Sequence, residues 1–239
     1  MHRIRLAPLV ALVAVAVAGC SAADADPASS PGSTASPSAS STPTTAPSAS
    51  EEPWQTVTAD DGATWSMPAD WTTVDASTEG EVGGWLQVDV LDEDGDRVLS
   101  YAHDLGGLSG LGGACQTFPE VQSFAAEPSQ AGFQPVRDEA FLDAAYAIEQ
   151  ADGSVVLSIG VVPDSAFDAS IPRCLVYNSG LHPANGSTVS FATDLQTGSG
   201  DAASSTTWGF GSFDEARAFA DSAEGQTLLQ VVESLRLQP

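Results

Sequence analysis

The chain has 239 residues, a formal net charge of -25 and no lysine. Such an excess of carboxylates repels phosphate backbones, which excludes nucleic acid as a partner, and it offers no basic patch to anionic lipid. The missing lysine excludes P-loop phosphate binding, Schiff-base and pyridoxal chemistry, and Ser-Lys nucleophile pairs.

The N-terminus, residues 1–19, opens on His2, Arg3 and Arg5 and continues as an apolar run from Leu6 to Ala18 broken only by Pro8. That is the layout of an export signal, and it is too short to span a bilayer as a mature helix. Its end, Val17-Ala18-Gly19-Cys20, resembles the lipobox of bacterial lipoproteins. The resemblance implies that Cys20 takes a diacylglyceryl group on its sulfur, becomes the mature N-terminus and often gains a further acyl chain, such as palmitate, on its amine. At about 0.8 kcal/mol per buried methylene, two or three chains hold a protein on a membrane essentially permanently. The expected location is then the outer face of the cell membrane. The alternative is an ordinary secretory signal with Cys20 near the cut by chance.

Residues 20–52 follow as Cys20 and a segment of almost pure Ser, Thr, Pro and Ala, with no aromatic residue. Such a segment cannot bury enough surface to offset its chain entropy and is predicted to be a disordered tether reaching roughly 30 Å. Every Trp, Tyr and Phe lies from Trp54 onward, so residues 53–239 are predicted to form a single globular domain.

Within that domain Asp-Gly or Asn-Gly occurs at Asp61-Gly62, Asp94-Gly95, Asp152-Gly153 and Asn185-Gly186, each between strand-like segments, which predicts an antiparallel sheet built from hairpins. A two-residue loop at Asp94-Gly95 would set Leu91 opposite Val98, Val90 opposite Leu99, Val88 opposite Tyr101 and Leu86 opposite His103, with Leu86, Val88, Val90, Leu99 and Tyr101 on one core face. The acidic run Asp92 to Asp96 lacks the spacing of a calcium loop and reads as a solvated turn, with a loose cation site as the alternative. His103 lies beside Asp104, but neighbouring strand residues point to opposite faces, which favours a structural histidine over a hydrolase pair.

The glycine-rich run Gly106 to Gly113 lacks phosphate-loop spacing and reads as a flexible loop pinned by Cys115. Residues Pro119 to Ala126 carry a weak helical signal. A two-residue loop at Asp152-Gly153 would pair Ile148 with Leu157, Tyr146 with Ile159 and Ala144 with Val161. Cys115 and Cys174, in an oxidising compartment, are expected to form a disulfide closing a loop of about 60 residues worth roughly 4 kcal/mol. Two buried thiols are the alternative. No CxxC spacing exists and only His103 and His182 survive signal removal, so no metal or other cofactor is expected.

Pro183 argues that the Asn185-Gly186 hairpin is an edge or a longer loop. Ser212-Phe213-Asp214-Glu215 is a capping box for a helix through about Ala220, and a second helix from near Ser222 would bury Leu228, Leu229, Val232 and Leu235. The expected fold class is therefore α+β, an antiparallel sheet with C-terminal helices packed on it. Of the five tryptophans, Trp54, Trp65, Trp71, Trp85 and Trp208, most are expected in the core, with a Trp-lined glycan or lipid groove as the alternative.

The opening Gly62-Ala63-Thr64-Trp65-Ser66-Met67-Pro68-Ala69-Asp70-Trp71 and the ending Phe213-Asp214-Glu215-Ala216 through Val232-Glu233-Ser234-Leu235-Arg236-Leu237 resemble PsbP/Mog1-like domains, which also occur in actinobacterial cell-wall lipoproteins. The resemblance implies an α/β/α sandwich and a binding or assembly role, without site residues. The expectation is a lipid-anchored extracytoplasmic module whose ligand is an envelope protein, glycan or lipid. The alternatives are an envelope hydrolase using His103 or His182 with a carboxylate partner, and a purely structural surface protein.

Overall fold

Alternation of apolar and polar residues after Pro53 makes strands, and the computed structural model describes residues 53–78, 84–105, 117–136, 139–198 and 208–239. In chain order the strands are β1 (Trp54–Thr58), β2 (Thr64–Pro68), β3 (Thr72–Asp75), β4 (Leu86–Leu91), β5 (Arg97–His103), β6 (Val121–Pro128), β7 (Phe141–Glu149), β8 (Val155–Pro163), β9 (Leu175–Tyr177), β10 (Gly180–Leu181), β11 (Thr188–Ala192), β12 (Gln196–Gly198) and β13 (Gly209–Phe210). Two helices close the chain, α1 (Phe213–Ala220) and α2 (Ala223–Glu233). The main sheet runs β3-β4-β5-β11-β8-β7-β6, with β10 on β11 and β13 on β8. Its pairings are antiparallel, and the fold class is α+β as expected.

Both helices start where the sequence places them. Ser212 Oγ accepts from Glu215 N at 3.3 Å and Ser222 Oγ from Gly225 N at 3.2 Å, capping otherwise unpaired amides. Leu228, Leu229, Val232 and Leu235 are all buried. The segment Pro119 to Ala126 is not a helix: Val121–Pro128 is strand β6, paired along β7 with a bulge between Ser123 and Ala125. Its backbone groups find a complete partner in the free edge of β7, and that pairing overrides a weak local preference.

The sheet carries a core on each face. On one face α1, α2 and the β1–β2 hairpin cover Leu99, Tyr101, Ala145, Ala147, Leu157, Ile159 and Val161. Trp65 and Met67 of β2 join this core, and Arg236 bridges to Thr64 to fasten the hairpin to the chain end. On the other face Ala144, Tyr146, Ile148 and Val162 meet Ala166 of a 3-10 turn (Asp164–Phe167) and Val176 of β9. Among the described residues this second cover is a β9–β12 ribbon and a 3-10 turn, where an α/β/α sandwich would have an α-helix.

Two register expectations are corrected. In β4–β5, Val90 faces Leu99, Val88 faces Tyr101 and Leu86 faces His103 as expected, but Leu91 faces Arg97 rather than Val98 because a bulge follows Val90. In β7–β8, Ile148 faces Val156, Tyr146 faces Ser158 and Ala144 faces Gly160, one residue away from the expected pairing along the whole ribbon. The cause is common to both: each turn is a three-residue loop, closed by Asp92 N to Asp96 O at 3.0 Å and by Gln150 N to Ser154 O at 2.7 Å. Gly95 (φ +85°) and Gly153 (φ +84°) take the left-handed position that ends such a loop.

Candidate functional site

The β1–β2 turn places Asp61 over the end of β5. Its Oδ1 accepts from Ala63 N at 3.1 Å, a local turn that fixes the carboxylate and leaves Oδ2 free to face the sheet. That oxygen meets Tyr101 Oη, which donates to it at 2.5 Å, and His103 Nδ1 at 2.6 Å. His103 sits between Leu86 of β4 and Val189 of β11 and is buried, so a rigid sheet position holds its ring.

His103 Nε2 points the other way, to the hydroxyl of Ser187. Ser187 ends the loop from His182 to Ser187 that joins β10 to β11, the longer connection that Pro183 called for. Asn185 Oδ1 accepts from Ser187 N at 3.0 Å and lies 2.7 Å from Ser187 Oγ. The single hydroxyl proton thus has two acceptors in reach. Because ionised Asp61 only accepts, Nδ1 of His103 must carry a proton, and a neutral imidazole then offers its lone pair at Nε2 to the Ser187 hydroxyl.

His182 lies flat on His103, ring centroids 4.6 Å apart and planes 10° from parallel. Its Nδ1 accepts from Ala184 N at 3.2 Å, so the proton of a neutral ring sits on Nε2, a buried atom without a partner among the described residues. Burial, followed by the neighbouring His103, lowers the His182 pKa and favours that neutral form. The Tyr101 phenol is pushed far up, first by burial and then by its bond to Asp61, and stays a donor.

Asp61, His103 and His182 each offer a ligand atom within 4.8 Å of the others, which invites a metal. The donor set does not fit one. Imidazole lone pairs lie in the ring plane, so two parallel stacked rings cannot both aim at a single ion, and the Nδ1 lone pair of His182 is already taken by a backbone amide.

The structure joins His103 and His182, which the sequence treated as separate candidates, and gives His103 a carboxylate partner 42 residues away. Asp104 lies 3.7 Å from His103 Nε2, outside hydrogen-bond reach but close enough to act electrostatically. The strand-alternation rule does not describe it, because Asp104 leaves β5 with φ +60° and turns its carboxylate back. Asp61 and Ser187 were missed, since each reads locally as a turn residue beside Asp-Gly or Asn-Gly. Cys20, Cys115 and the run Gly106 to Gly113 lie outside the described residues. Cys174 is described but Cys115 is not, so their disulfide stays a proposal.

Other candidates resolve more simply. Asp92 Oδ1 accepts from Asp94 N at 3.0 Å and Asp96 N at 2.9 Å, the self-closed turn expected of that run. Trp65 and Trp71 are buried, Trp54 and Trp208 pack against the core, and Trp85 donates to Gln87 Oε1 at 3.1 Å, so the tryptophans do not converge on one groove. A second polar cluster is wholly internal: Tyr146 Oη donates to Asn178 Oδ1 at 2.7 Å, and Asn178 Nδ2 donates to Ser158 Oγ at 2.8 Å and Asp194 O at 2.5 Å. Searches of protein-family models, curated proteins and solved structures find no match for this chain.

Proposed function

We propose that the protein is a lipid-anchored extracytoplasmic binding or assembly module, held through Cys20 and presenting its domain to the cell envelope. The lipobox resemblance supports the anchor, and one surface observation supports the binding role. Phe118 and Ile171, two large apolar side chains exposed at 61% and 47%, line a single groove of about 250 Å³ with Pro119, Val121, Phe167 and Pro172. Leaving such side chains together in water costs free energy that a bound apolar partner would recover.

The test is capture from detergent-solubilised envelope by the full, processed chain, scoring protein, glycan and lipid ligands together. The double variant Phe118→Asp, Ile171→Asp is expected to lose the captured component. Equal capture by wild type and variant would remove the groove, and no specific capture by either would remove the binding role. Cys20→Ala is expected to release the protein or leave it unprocessed, and mature, lipid-labelled C20A protein would sink the anchor.

One observation favours a second reading, an envelope hydrolase. The line Asp61, His103, Ser187 has the order, atoms and contacts of an acid-base-nucleophile relay.

A further inference from the structure

We infer that Ser187 is an activated nucleophile, with His103 as its general base and Asp61 orienting the imidazole, in a site that hydrolyses neutral or cationic carboxylic esters. The inference rests on the hydrolytic reading and owes nothing to the apolar groove at Phe118. Its parts come from three separate elements: the β1–β2 turn supplies Asp61, the end of β5 supplies His103, and the loop before β11 supplies Ser187. A turn needs an Asp and a loop needs a Ser for local reasons. Neither requirement explains why both meet opposite nitrogens of one buried imidazole.

The His103 side chain is 8% exposed, the Asp61 side chain 14%, and Ser187 is half-buried at the loop, so an incoming carbonyl meets the hydroxyl before the base. Tyr101 shares Oδ2 of Asp61 with His103 and holds that carboxylate from behind. His182 covers one face of the imidazole and, with Nδ1 fixed by Ala184 N, cannot compete for the Ser187 proton through that atom. It is a positioning residue. Asp104, 3.7 Å from Nε2, stabilises the imidazolium that forms when His103 takes the proton, and Asn185 Oδ1 accepts the hydroxyl proton whenever His103 is already protonated.

The substrate class follows from charge. Asp104 is exposed beside His103 Nε2 and the chain carries -25 overall, so an anionic acyl compound is repelled while a neutral or cationic ester is not. In the first step Ser187 Oγ bonds to the carbonyl carbon and its proton passes to His103 Nε2. The ester C–O bond then breaks and the alcohol leaves with that proton. Water attacks the acyl-serine, giving one proton to His103, and the acid departs as Ser187 regains it. Water is the only co-reactant.

The experiment treats the full, processed chain in detergent with a reporter-tagged fluorophosphonate between pH 7 and 9, and follows hydrolysis of p-nitrophenyl acetate in parallel. Covalent label on the peptide carrying Ser187 is expected, together with an acyl burst. Ser187→Ala should abolish the label without lowering the melting temperature. Asp61→Asn and His103→Gln should each slow labelling at least tenfold, and if one fails to fold the other carries the comparison. His182→Phe, which keeps the stack, should label at a rate near wild type, while His182→Ala slows it. Wild-type protein that takes up no label, or S187A labelled as fast as wild type, overturns the inference. Capture through the Phe118 groove is unaffected by either result, so failure here leaves the binding role to its own test.

Discussion

The β4–β5 and β7–β8 ribbons carry the same Asp-Gly turn in the same three-residue loop, yet the pairing expected from an ideal two-residue turn holds through most of one and fails throughout the other. In β4–β5 a bulge absorbs the extra loop residue, so that Val98 and Leu99, adjacent in sequence, are both buried in the same core. That ribbon is wet on its far side, where Gln87 donates to Asp89 at 2.8 Å and Ser100 donates to Asp89 at 2.5 Å. A slipped register would bury these polar groups, so one-sided patterning forces the correction. In β7–β8 both faces are buried under different covers, and a slip by one residue only exchanges one apolar set for another. Periodicity specifies register only where one face must stay wet.

The sharpest way to break this comparison is at Gly160 in β8. A Cβ there would stand 2.2 Å from Ala192 Cβ and 2.8 Å from Ala192 Cα, so Gly160→Ala is expected to cost about 3 kcal/mol or prevent folding, measured by urea unfolding. Next, if the second face is a true core, Ile148→Ala should cost about 2 to 5 kcal/mol and match Ile159→Ala on the opposite face. A loss well under that for Ile148 alone would show the β9 side to be a loose cover. Tyr146→Phe leaves Asn178 Oδ1 without its donor and is expected to cost about 1 to 3 kcal/mol by the same assay.

Asp143, buried on β7 with Oδ1 unpartnered, and Asp194, at the end of the Tyr146 cluster, are both pushed up to about 6, chiefly by burial. Their folded-state values lie above the unfolded value of 3.8, so between those limits the unfolded chain gives up protons first. Stability contributed by these groups is therefore full below pH 4, falls as pH rises towards 6 and is flat beyond it. Asp143→Asn should raise stability at pH 7 and shrink that fall, and an unchanged pH profile would contradict the assignment. The smallest effect belongs to the turns themselves: Gly95→Ala and Gly153→Ala meet open space but keep positive φ, so each should cost about 1 kcal/mol, and equally.

Both loops that feed the candidate site illustrate how local reading hides chemistry. Asp61 satisfies its own turn through Oδ1, which explains its presence completely from local sequence, yet Oδ2 is the atom that matters. Asn185-Gly186 announced a turn, and Ser187 followed as an unremarked small residue 84 positions from the histidine it touches. His103 itself was legible, through its place on the apolar face of β5. The adjacent Asp104 drew attention as the obvious carboxylate, and the carboxylate that bonds Nδ1 came from another hairpin.

Sequence alone determined what depends on near neighbours: the places of the hairpin turns, the two capped helices, the apolar face of α2 and the α+β class. These are set by hydrogen bonds and packing within a few residues, which leave periodic signals. Tertiary structure alone decided the strand identity of Val121–Pro128 and the meeting of Asp61, His103, His182 and Ser187. Those outcomes depend on which long-range partner satisfies a backbone edge or a buried nitrogen, and an interaction spanning 42 or 84 residues leaves no period in the chain to read.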